Sequence, residues 1–446
     1  GRCSCLKALT FKGGVHPLHR QHEGKPLSKD AALREFSPAV VVIPMSQHIG
    51  APCKPCVSVG DRVLLGQLIG EPGGFVSAPI HASVSGKVIA VEPRPHVNGT
   101  NVLSVVIEND GKDELDPSVQ PKGTLDSLSP DEIKKIILEA GIVGMGGAAF
   151  PTHVKYAVKP DQKVDYLILN GAECEPYLTS DHRMMLEHSD RIALGAALLK
   201  KASGAPVCII GIENNKPDAI EAMTKAVEKY EGISVAVLKT KYPQGGEKQL
   251  IKAVTGREVP RGGLPIAAGC IVSNVSTAAA VADAVYKGMP LVRRAVTVTG
   301  SVKQPSNFIA PCGTLYTDLF EACGGYEGEV AKIISGGPMM GLAVADPGIP
   351  TTKGTSGITV FSTKEYKPVV ESNCIRCARC VDVCPVGLEP YILNAAALRS
   401  NVDVLREKDA MSCINCGCCT YVCPAKRDLA QSIALGKKIL AKAAKK

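Results

Sequence analysis

The sequence predicts a multidomain α/β protein that ends in a small cysteine-rich domain. At 446 residues the chain is too long for one hydrophobic core, so three or four domains are expected. In its middle part, apolar runs alternate with amphipathic segments, which is the rhythm of helices packed over a parallel sheet. Near the C-terminus, two cysteine runs share one spacing. The hydrophobic content of 45% and charged content of 21% are those of an ordinary globular protein.

The N-terminal arm, residues 1–28, is polar and basic and is expected to be solvated. It contains Cys3, Cys5, His16, His19 and His22. A metal site is one interpretation of these residues, but incidental thiols on a solvated arm are the favoured one.

Residues 29–125 predict a β domain, because short β-like runs punctuated by Gly and Pro extend through them. The segments V-G-D-R-V-L-L-G-Q and A-P-I-H-A-S-V-S-G-K-V resemble the sandwich-barrel fold of biotinyl and lipoyl carrier domains. The hairpin lysine that carries such a group is absent, so we interpret the domain as a scaffold. Cys53 and Cys56 form a C-x2-C without a second pair nearby, and metal binding there is the less favoured interpretation.

Residues 126–290 predict an α/β domain with a parallel sheet. Ser129 to Glu132 have the pattern of a capped helix start. The near-continuous apolar run V-D-Y-L-I-L-N indicates a parallel strand buried on both faces. Further strands are expected at 207–212 and 233–238, alternating with helices at 217–230 and 247–254.

Residues 291–345 begin a second β-rich region, with a strand near 295–300, a helix near 314–322 and a G-G-P-M-M-G loop. A linker is expected at 346–365, followed by a cysteine-rich domain at 366–436 and a basic tail at 437–446. The tail holds much of the formal net charge of +8, and we expect it to lie against anionic lipid or a neighbouring subunit, or to be solvated and frayed.

The two cysteine runs read C-I-R-C-A-R-C-V-D-V-C-P and C-I-N-C-G-C-C-T-Y-V-C-P. Their common spacing, C-x2-C-x2-C-x3-C-P, is the bacterial signature of two [4Fe–4S] clusters, in which each fourth cysteine ligates the other cluster. The predicted ligand sets are Cys374, Cys377, Cys380 with Cys423, and Cys413, Cys416, Cys419 with Cys384. A zinc ribbon fragment explains one run but not two with identical spacing. Cys418 fits no ligand position and is predicted to be a small core residue.

The segment between the runs is rich in Ala and Leu, which predicts an α-helical ferredoxin-type domain. Clusters of this kind need reduced thiols, so a cytoplasmic location is favoured over a disulfide-rich secreted protein. No apolar run approaches the length of a membrane span, and no secretory signal opens the chain. The chain has no Trp and 4% aromatic residues, and its positive charge lies in a tail, so a nucleic-acid-binding protein is disfavoured.

Iron–sulfur clusters carry single electrons, so a second site that handles electron pairs is expected. The best candidate is G-M-G-G-A-A-F-P-T-H-V-K, where Gly144, Gly146 and Gly147 let the backbone approach a phosphate or a flat ring. Lys155 adds a positive charge. The alternative is a glycine-rich turn that packs a helix.

Three further segments support this second site. Glu173 and Glu175 follow a strand, where open α/β sheets bind ligands, although on their own they suit a solvated loop. Gly245 and Gly246 precede a helix that Glu247 opens, a possible anion or ring site. Hydrogen-bonding side chains also open a helix in S-N-V-S-T. No G-x-G-x-x-G fingerprint occurs in a strand–helix context, so a different fold is expected to hold the cofactor.

In this order, G-M-G-G-A-A-F-P-T-x-x-K, N-G-A-E-C-E-P and S-N-V-S-T resemble the FMN- and NADH-binding subunit of respiratory complex I. That pattern reads G-R-G-G-A-G-F-P-T-x-x-K, N-A-D-E-x-E-P, C-G-E-E and N-N-V-E-T. The closer resemblance is to the RnfC subunits of the Rnf complex, the ion-translocating ferredoxin:NAD oxidoreductase, and it covers nearly the whole chain. It implies that residues 291–345 form a soluble-ligand-binding β-grasp (SLBB) domain.

The resemblance also implies cofactor sites. FMN is implied near Gly144, Gly146, Gly147, Ala148, Lys155, Asn170, Glu173, Gly245, Gly246, Glu247, Asn274, Ser276 and Thr277. The nicotinamide dinucleotide is implied near Phe150, Lys155 and Glu175. The chain departs from the complex I pattern at Met145, Ala172, Lys248, Ser273 and Ser276.

The expected function is electron transfer without catalytic side chains: hydride exchange between NAD(H) and FMN, and single electrons through two [4Fe–4S] clusters. The implied partners are integral membrane and iron–sulfur subunits, NADH and, indirectly, ferredoxin, on the cytoplasmic face of the membrane. The alternatives are a soluble NADH-linked module of a hydrogenase or formate dehydrogenase, and a cluster-bearing scaffold that is not an enzyme.

Overall fold

The computed structural model describes residues 8–17 and 23–444. Cys3, Cys5, His19 and His22 of the predicted arm, and Lys445 and Lys446 of the predicted tail, lie outside these ranges. The described residues form four sheets, two in the N-terminal β domain and one in each of the next two domains. The C-terminal domain is helical, as its Ala- and Leu-rich segment predicts.

The N-terminal β domain is a sandwich of two small antiparallel sheets, ordered β2-β8-β7-β4 and β3-β5-β6. The strands are β1 (Leu33–Glu35), β2 (Val40–Pro44), β3 (Lys54–Pro55), β4 (Arg62–Val63), β5 (Leu68–Glu71), β6 (Ile80–His81), β7 (Gly86–Pro95) and β8 (Asn101–Asn109). Val41, Ile43 and Ile107 are among the fully buried side chains of its core. Strand β1 is the exception, because it pairs with a strand of the third domain.

The central α/β domain has a four-stranded parallel sheet, as the alternation of strands and helices predicts. Its elements are α1 (Pro130–Glu139), α2 (Thr152–Tyr156), β9 (Tyr166–Asn170), α3 (Ser180–Glu187), α4 (Ser189–Ser203), β10 (Val207–Glu213), α5 (Pro217–Val227), β11 (Ile233–Leu238), α6 (Glu247–Thr255), β12 (Cys270–Asn274) and α7 (Val275–Tyr286). The sheet order is β11-β10-β9-β12. The predicted capping box at Ser129 and Glu132 is present.

The third domain has a six-stranded mixed sheet of order β1-β14-β13-β17-β15-β16. Its elements are β13 (Arg293–Gly300), β14 (Ser306–Pro311), α8 (Tyr316–Ala322), β15 (Val330–Ser335), β16 (Leu342–Val344) and β17 (Gly357–Ser362). The linker predicted at 346–365 is therefore wrong, since β17 lies between β13 and β15 with Ile358 and Val360 fully buried. The alternation in G-I-T-V-F-S carried this signal.

The cysteine-rich domain is built from α9 (Arg379–Asp382), α10 (Pro390–Leu398), α11 (Val402–Glu407), α12 (Cys418–Val422) and α13 (Leu429–Ala443). Helix α13 packs on α10 and α11, where Gly436 lies against Leu405 and Ala397. The basic tail predicted from 437 is thus the end of a packed helix up to Ala443. Leu440 is buried, and the ammonium group of Lys437 donates to the carbonyl of Cys413 at 2.7 Å.

The N-terminal strap, residues 8–17, is built into the fold and not solvated as expected. Leu9 forms a parallel bridge with Leu238, and Val15 forms an antiparallel bridge with Tyr242. The amide of Gly14 donates to the carbonyl of Val383 at 2.8 Å, so the strap joins the central domain to the cysteine-rich domain. Apolar burial explains the difference, because Phe11 and Val15 are 6% and 4% exposed.

Across residues 8–17 and 23–444, no helix has both the length and the apolar character that a membrane crossing requires.

Candidate functional site

The glycine loop, residues 144–148, lies at the carboxyl end of the parallel sheet. The amide of Met145 donates to Oγ1 of Thr277 at 3.0 Å, while Gly146, Gly147 and Ala148 are exposed. The space between residues 146–148 and the N-terminus of α7 is called the cradle below. A Cβ at Gly146 would lie 2.9 Å from Nδ2 of Asn274, so a side chain there would fill the cradle. The exposed backbone and the lack of side chains fit a flat ring or a phosphate.

The N-terminus of α7 forms one wall of the cradle. Asn274 caps the helix, accepting hydrogen bonds from the amides of Ser276 and Thr277 at 2.8 and 3.3 Å. The side chains of Asn274 and Ser276 both donate to the carboxylate of Asp181, at 2.7 and 2.6 Å. Asp181 is not among the residues that the sequence predicted for this site. The sequence signal for it was the departure at Ser276. The complex I pattern has a glutamate at this position, and here the carboxylate comes from Asp181 instead.

Further lining comes from the end of β9 and the start of α6. Nδ2 of Asn170 donates to the carbonyl of Gly245 at 2.9 Å, and a Cβ at Gly245 would lie 3.0 Å from that same nitrogen. The ammonium group of Lys155 lies 3.3 Å from Oε1 of Glu247 and donates to the carbonyl of Val272. The implied FMN residues thus converge at one edge of the sheet, where open α/β sheets bind ligands.

Glu173 belongs to the same edge but its carboxylate faces α3. It accepts hydrogen bonds from the amides of Asp181 and His182 at 2.7 and 3.2 Å. Two buried lysines hold the carbonyls of this segment: Lys25 donates to Glu173 at 2.8 Å and Lys216 to Ala172 at 2.7 Å. The observed role of Glu173 is therefore to fix the loop after β9, which includes a positive φ of 45° at Glu173 itself.

Glu175 reaches the third domain. Its two carboxylate oxygens accept hydrogen bonds from the amides of Met339 and Met340, at 3.2 and 2.7 Å, in the clamp loop, residues 336–341. Burial raises the pKa of Glu175 to about 7, although the two amide hydrogen bonds stabilise the carboxylate and lower the pKa. Phe150, the other residue implied near the dinucleotide, is half-buried beside the glycine loop.

The eight predicted cluster ligands fall into two groups. Cys374, Cys377, Cys380 and Cys423 line one cavity. Cys384, Cys413, Cys416 and Cys419 form the second group, in which electrostatic interactions join Cys384 to the other three. Within the described ranges, no three His, Cys, Asp or Glu side chains are arranged to hold a single metal ion. Four thiols around one cavity, as in the first group, fit a cluster of several irons.

Burial disfavours the thiolate form of four of these eight cysteines. Burial raises the pKa of Cys380, Cys384 and Cys413, and it raises the pKa of Cys419 to about 12. A bound cation is needed to hold such groups as thiolates.

The second group faces the central domain. Cys416 and Cys418 share an apolar contact with Val15 and Tyr242, and Cys174 and Met339 pack against it. Cys418 is fully buried, as predicted for a core residue, with Sγ 3.9 Å from the carbonyl oxygen of Tyr242. In the first group, Cys374 and Cys377 are exposed, whereas Cys380 is buried.

Cys174 links this contact to the cradle. The amide of Gly245 donates to its sulfur at 3.3 Å, and burial raises the pKa of the thiol to about 12. By contrast, within the described residues the Cys53–Cys56 pair belongs to no group of three ligating side chains, although Sγ of Cys53 lies 3.8 Å from Nε2 of His48. Cys53 is buried in the N-terminal core and donates to the carbonyl of Ala78 at 3.1 Å, while Cys56 is exposed.

Four family models match the chain in the predicted order. They are the RnfC barrel sandwich hybrid domain at 9–112, the Nuo51 FMN-binding domain at 137–283, the SLBB domain at 295–343 and the 4Fe-4S dicluster domain at 367–424. The predicted fold class is thereby confirmed. Among solved structures, an NAD+-reducing [NiFe]-hydrogenase in the air-oxidized state shares the fold with a TM-score of 0.51 and 18% identity, covering 71% of this chain and 66% of that chain.

Curated relatives match over almost the full length. The RnfC subunit of the Na(+)-translocating ferredoxin:NAD(+) oxidoreductase complex of Acetobacterium woodii is 51% identical over 434 residues, which is 97% of each chain. Its counterpart in the proton-translocating complex of Clostridium ljungdahlii is 48% identical over 86% of this chain and 84% of its own. The corresponding subunit of the ion-translocating oxidoreductase complex of Rhodobacter capsulatus is 41% identical over 87% of this chain and 75% of its own. The chain belongs to the RnfC family, whose members are subunits of ion-translocating ferredoxin:NAD(+) oxidoreductase complexes.

Proposed function

We propose that the chain is the electron-transfer subunit of an ion-translocating ferredoxin:NAD(+) oxidoreductase complex, bound to the cytoplasmic face of the membrane through other subunits. Relatedness to an RnfC subunit over 97% of the chain, together with the FMN-binding and dicluster domain models, supports this function. When bound, FMN exchanges a hydride with NAD(H) and the clusters exchange single electrons.

We assign FMN to the cradle between α7 and α6, held by the residues that the family pattern implies. The observation that carries this assignment is the exposed, side-chain-free backbone of Gly146 and Gly147. Asn274 and Asn170 wall the cradle with amide groups, and Lys155 brings a positive charge to the side where Glu247 opens α6. These residues bind and orient the flavin, and none of them needs to act as a nucleophile.

The two cysteine groups have different assignments in the electron path. Cys384, Cys413, Cys416 and Cys419 are assigned to a proximal cluster, because their neighbours Cys418 and Tyr242 connect them to the central domain. Cys374, Cys377, Cys380 and Cys423 are assigned to a distal cluster. Cys374 and Cys377 are exposed, so this cluster is accessible to an iron–sulfur partner subunit.

The alternatives are supported less well. The likeness to the hydrogenase is confined to the fold at 18% identity, whereas the three RnfC relatives are 41–51% identical over 86–97% of this chain. A cluster-bearing scaffold without flavin would not need the open cradle at Gly146. Co-purification with integral membrane subunits separates the complex from a soluble module.

Anaerobic reconstitution of the full chain tests the proposal. Iron, sulfide and flavin are counted, and reduction by NADH is followed at the flavin absorbance band and by electron paramagnetic resonance of the clusters. We expect two [4Fe–4S] clusters, one FMN and reduction of all three centres. A chain that takes up iron but no flavin, or whose flavin is not bleached by NADH, would refute it.

A further inference from the structure

Arg294 is a buried cation whose hydrogen-bond partners within the described chain are uncharged. It lies on β13 of the SLBB domain and is 2% exposed. Its Nε donates to the carbonyl of Thr355 at 3.2 Å and its Nη2 to the carbonyl of Met145 at 3.3 Å, while Nη1 lies 2.8 Å from Sδ of Met145. Burying a guanidinium without a paired carboxylate is costly, which points to a role for its charge beside the glycine loop.

The glycine loop is held at Met145 from two domains. Thr277 of α7 accepts the hydrogen bond of the Met145 amide, and Arg294 donates to the Met145 carbonyl. Both peptide groups that flank this residue are therefore fixed, while the next residues, 146–148, stay exposed. The conformation of the proposed flavin cradle thus depends on a side chain of the neighbouring SLBB domain.

Asp181 provides the opposite charge on the α7 side of the cradle. Its carboxylate is held by Asn274 and Ser276. Burial lowers the pKa of Arg294, and the negative charge of Asp181 opposes that shift. The complex I pattern carries an arginine and a glutamate within the loop and the helix, where this chain has Met145 and Ser276. In this chain Met145 accepts a hydrogen bond from Arg294 of β13, and Ser276 donates one to Asp181 of α3.

We propose that Arg294 is a positioning residue of the flavin site, which fixes the Met145 carbonyl and supplies from the SLBB domain a positive charge beside bound FMN. The inference rests on the proposed function, because FMN has to occupy the cradle. A nearby positive charge favours the more electron-rich form of the flavin. FMN affinity and flavin potential are therefore both tied to the docking of the SLBB domain.

The test compares R294M, R294K and R293M in the full chain. Arg293 is the matched control, since it precedes Arg294 on β13 but pairs with Glu35 and Asp113 near the surface. FMN binding is measured by quenching of FMN fluorescence, and the flavin midpoint potential by anaerobic redox titration. We expect R294M to raise the Kd for FMN about tenfold, the loss of one charged hydrogen bond, and to shift the potential to more negative values.

The lysine variant separates charge from geometry. R294K should restore the potential, whereas its Kd should stay several-fold weaker because one ammonium group cannot reach both Met145 and Thr355. R294M with the affinity and potential of R293M would overturn the inference, and so would weaker binding with an unchanged potential, which marks a merely structural role. If R294M does not fold, an unchanged Kd in R294K overturns it. A wild-type chain that binds no FMN would instead refute the proposed function.

Discussion

The two cysteine runs have the same spacing but lie in different surroundings. Cys416 is buried under the N-terminal strap and next to Tyr242, while Cys377, at the same place in its run, is exposed. Spacing brings the first three cysteines of each run together, because it is a local property of the chain. Contacts with distant segments determine which group faces the central domain, and this difference underlies the proposed proximal and distal clusters.

The largest expected effect comes from replacing the equivalent cysteines of the two runs. Cys416→Ser should leave flavin reduction by NADH intact and abolish reduction of both clusters, because the distal cluster would lose its electron source. Cys377→Ser should leave the proximal cluster reducible and abolish only transfer to an external acceptor. Electron paramagnetic resonance after NADH addition measures both. A distal cluster that NADH still reduces in Cys416→Ser would contradict the proposed order.

The strap provides the next test of the comparison. Val15→Asp would place a carboxylate in the apolar contact between Tyr242 and Cys418, at a cost of about 3 kcal/mol. We expect flavin reduction at the wild-type rate and cluster reduction slowed by about tenfold, the effect of roughly 1.4 kcal/mol. Stopped-flow absorbance resolves the two steps. The control is Leu9→Asp, at a 39% exposed position of the same strap, and equal slowing in both variants would speak against a specific role of this contact.

Glu175 gives a pH-dependent test of the link between the central domain and the clamp loop. Its folded pKa of about 7 lies above the ordinary 4.5, so between these values the folded chain binds more protons than the unfolded one. The free energy of unfolding therefore falls as pH rises from about 4.5 to 7, by at most on the order of 3 kcal/mol.

Glu175→Gln removes this titration, so its stability relative to wild type should be greater at pH 8 than at pH 5. Thermal unfolding at the two pH values measures the change. Glu258→Gln serves as an exposed control, since the Glu258 side chain is 77% exposed. A difference between Glu175→Gln and wild type that does not vary with pH would contradict the buried environment of the carboxylate.

Local patterns predicted most of the architecture and all eight cysteines of the two groups. The capping box at Ser129, the parallel strands of the central domain and the core position of Cys418 each depend on residues close in sequence. The contacts that Lys25, Asp181 and Arg294 make around the candidate site did not follow from the sequence. Each of them hydrogen-bonds to a residue that is distant along the chain. Strand β17 was missed for a different reason: its local alternation was present in G-I-T-V-F-S but was overlooked.

The smallest expected effect separates two adjacent cysteines. Cys419 belongs to the proximal group, whereas Cys418 fits no ligand position and is fully buried against the carbonyl of Tyr242. Cys418→Ala should keep both clusters and lower the free energy of unfolding by roughly 1 kcal/mol, the cost of a small cavity. Cys419→Ala should lose the proximal cluster. Iron and sulfide content, together with thermal unfolding, distinguishes the two outcomes. Loss of iron from Cys418→Ala would contradict the ligand assignment that spacing predicts. It would show that burial beneath the strap also selects the ligands of the proximal cluster.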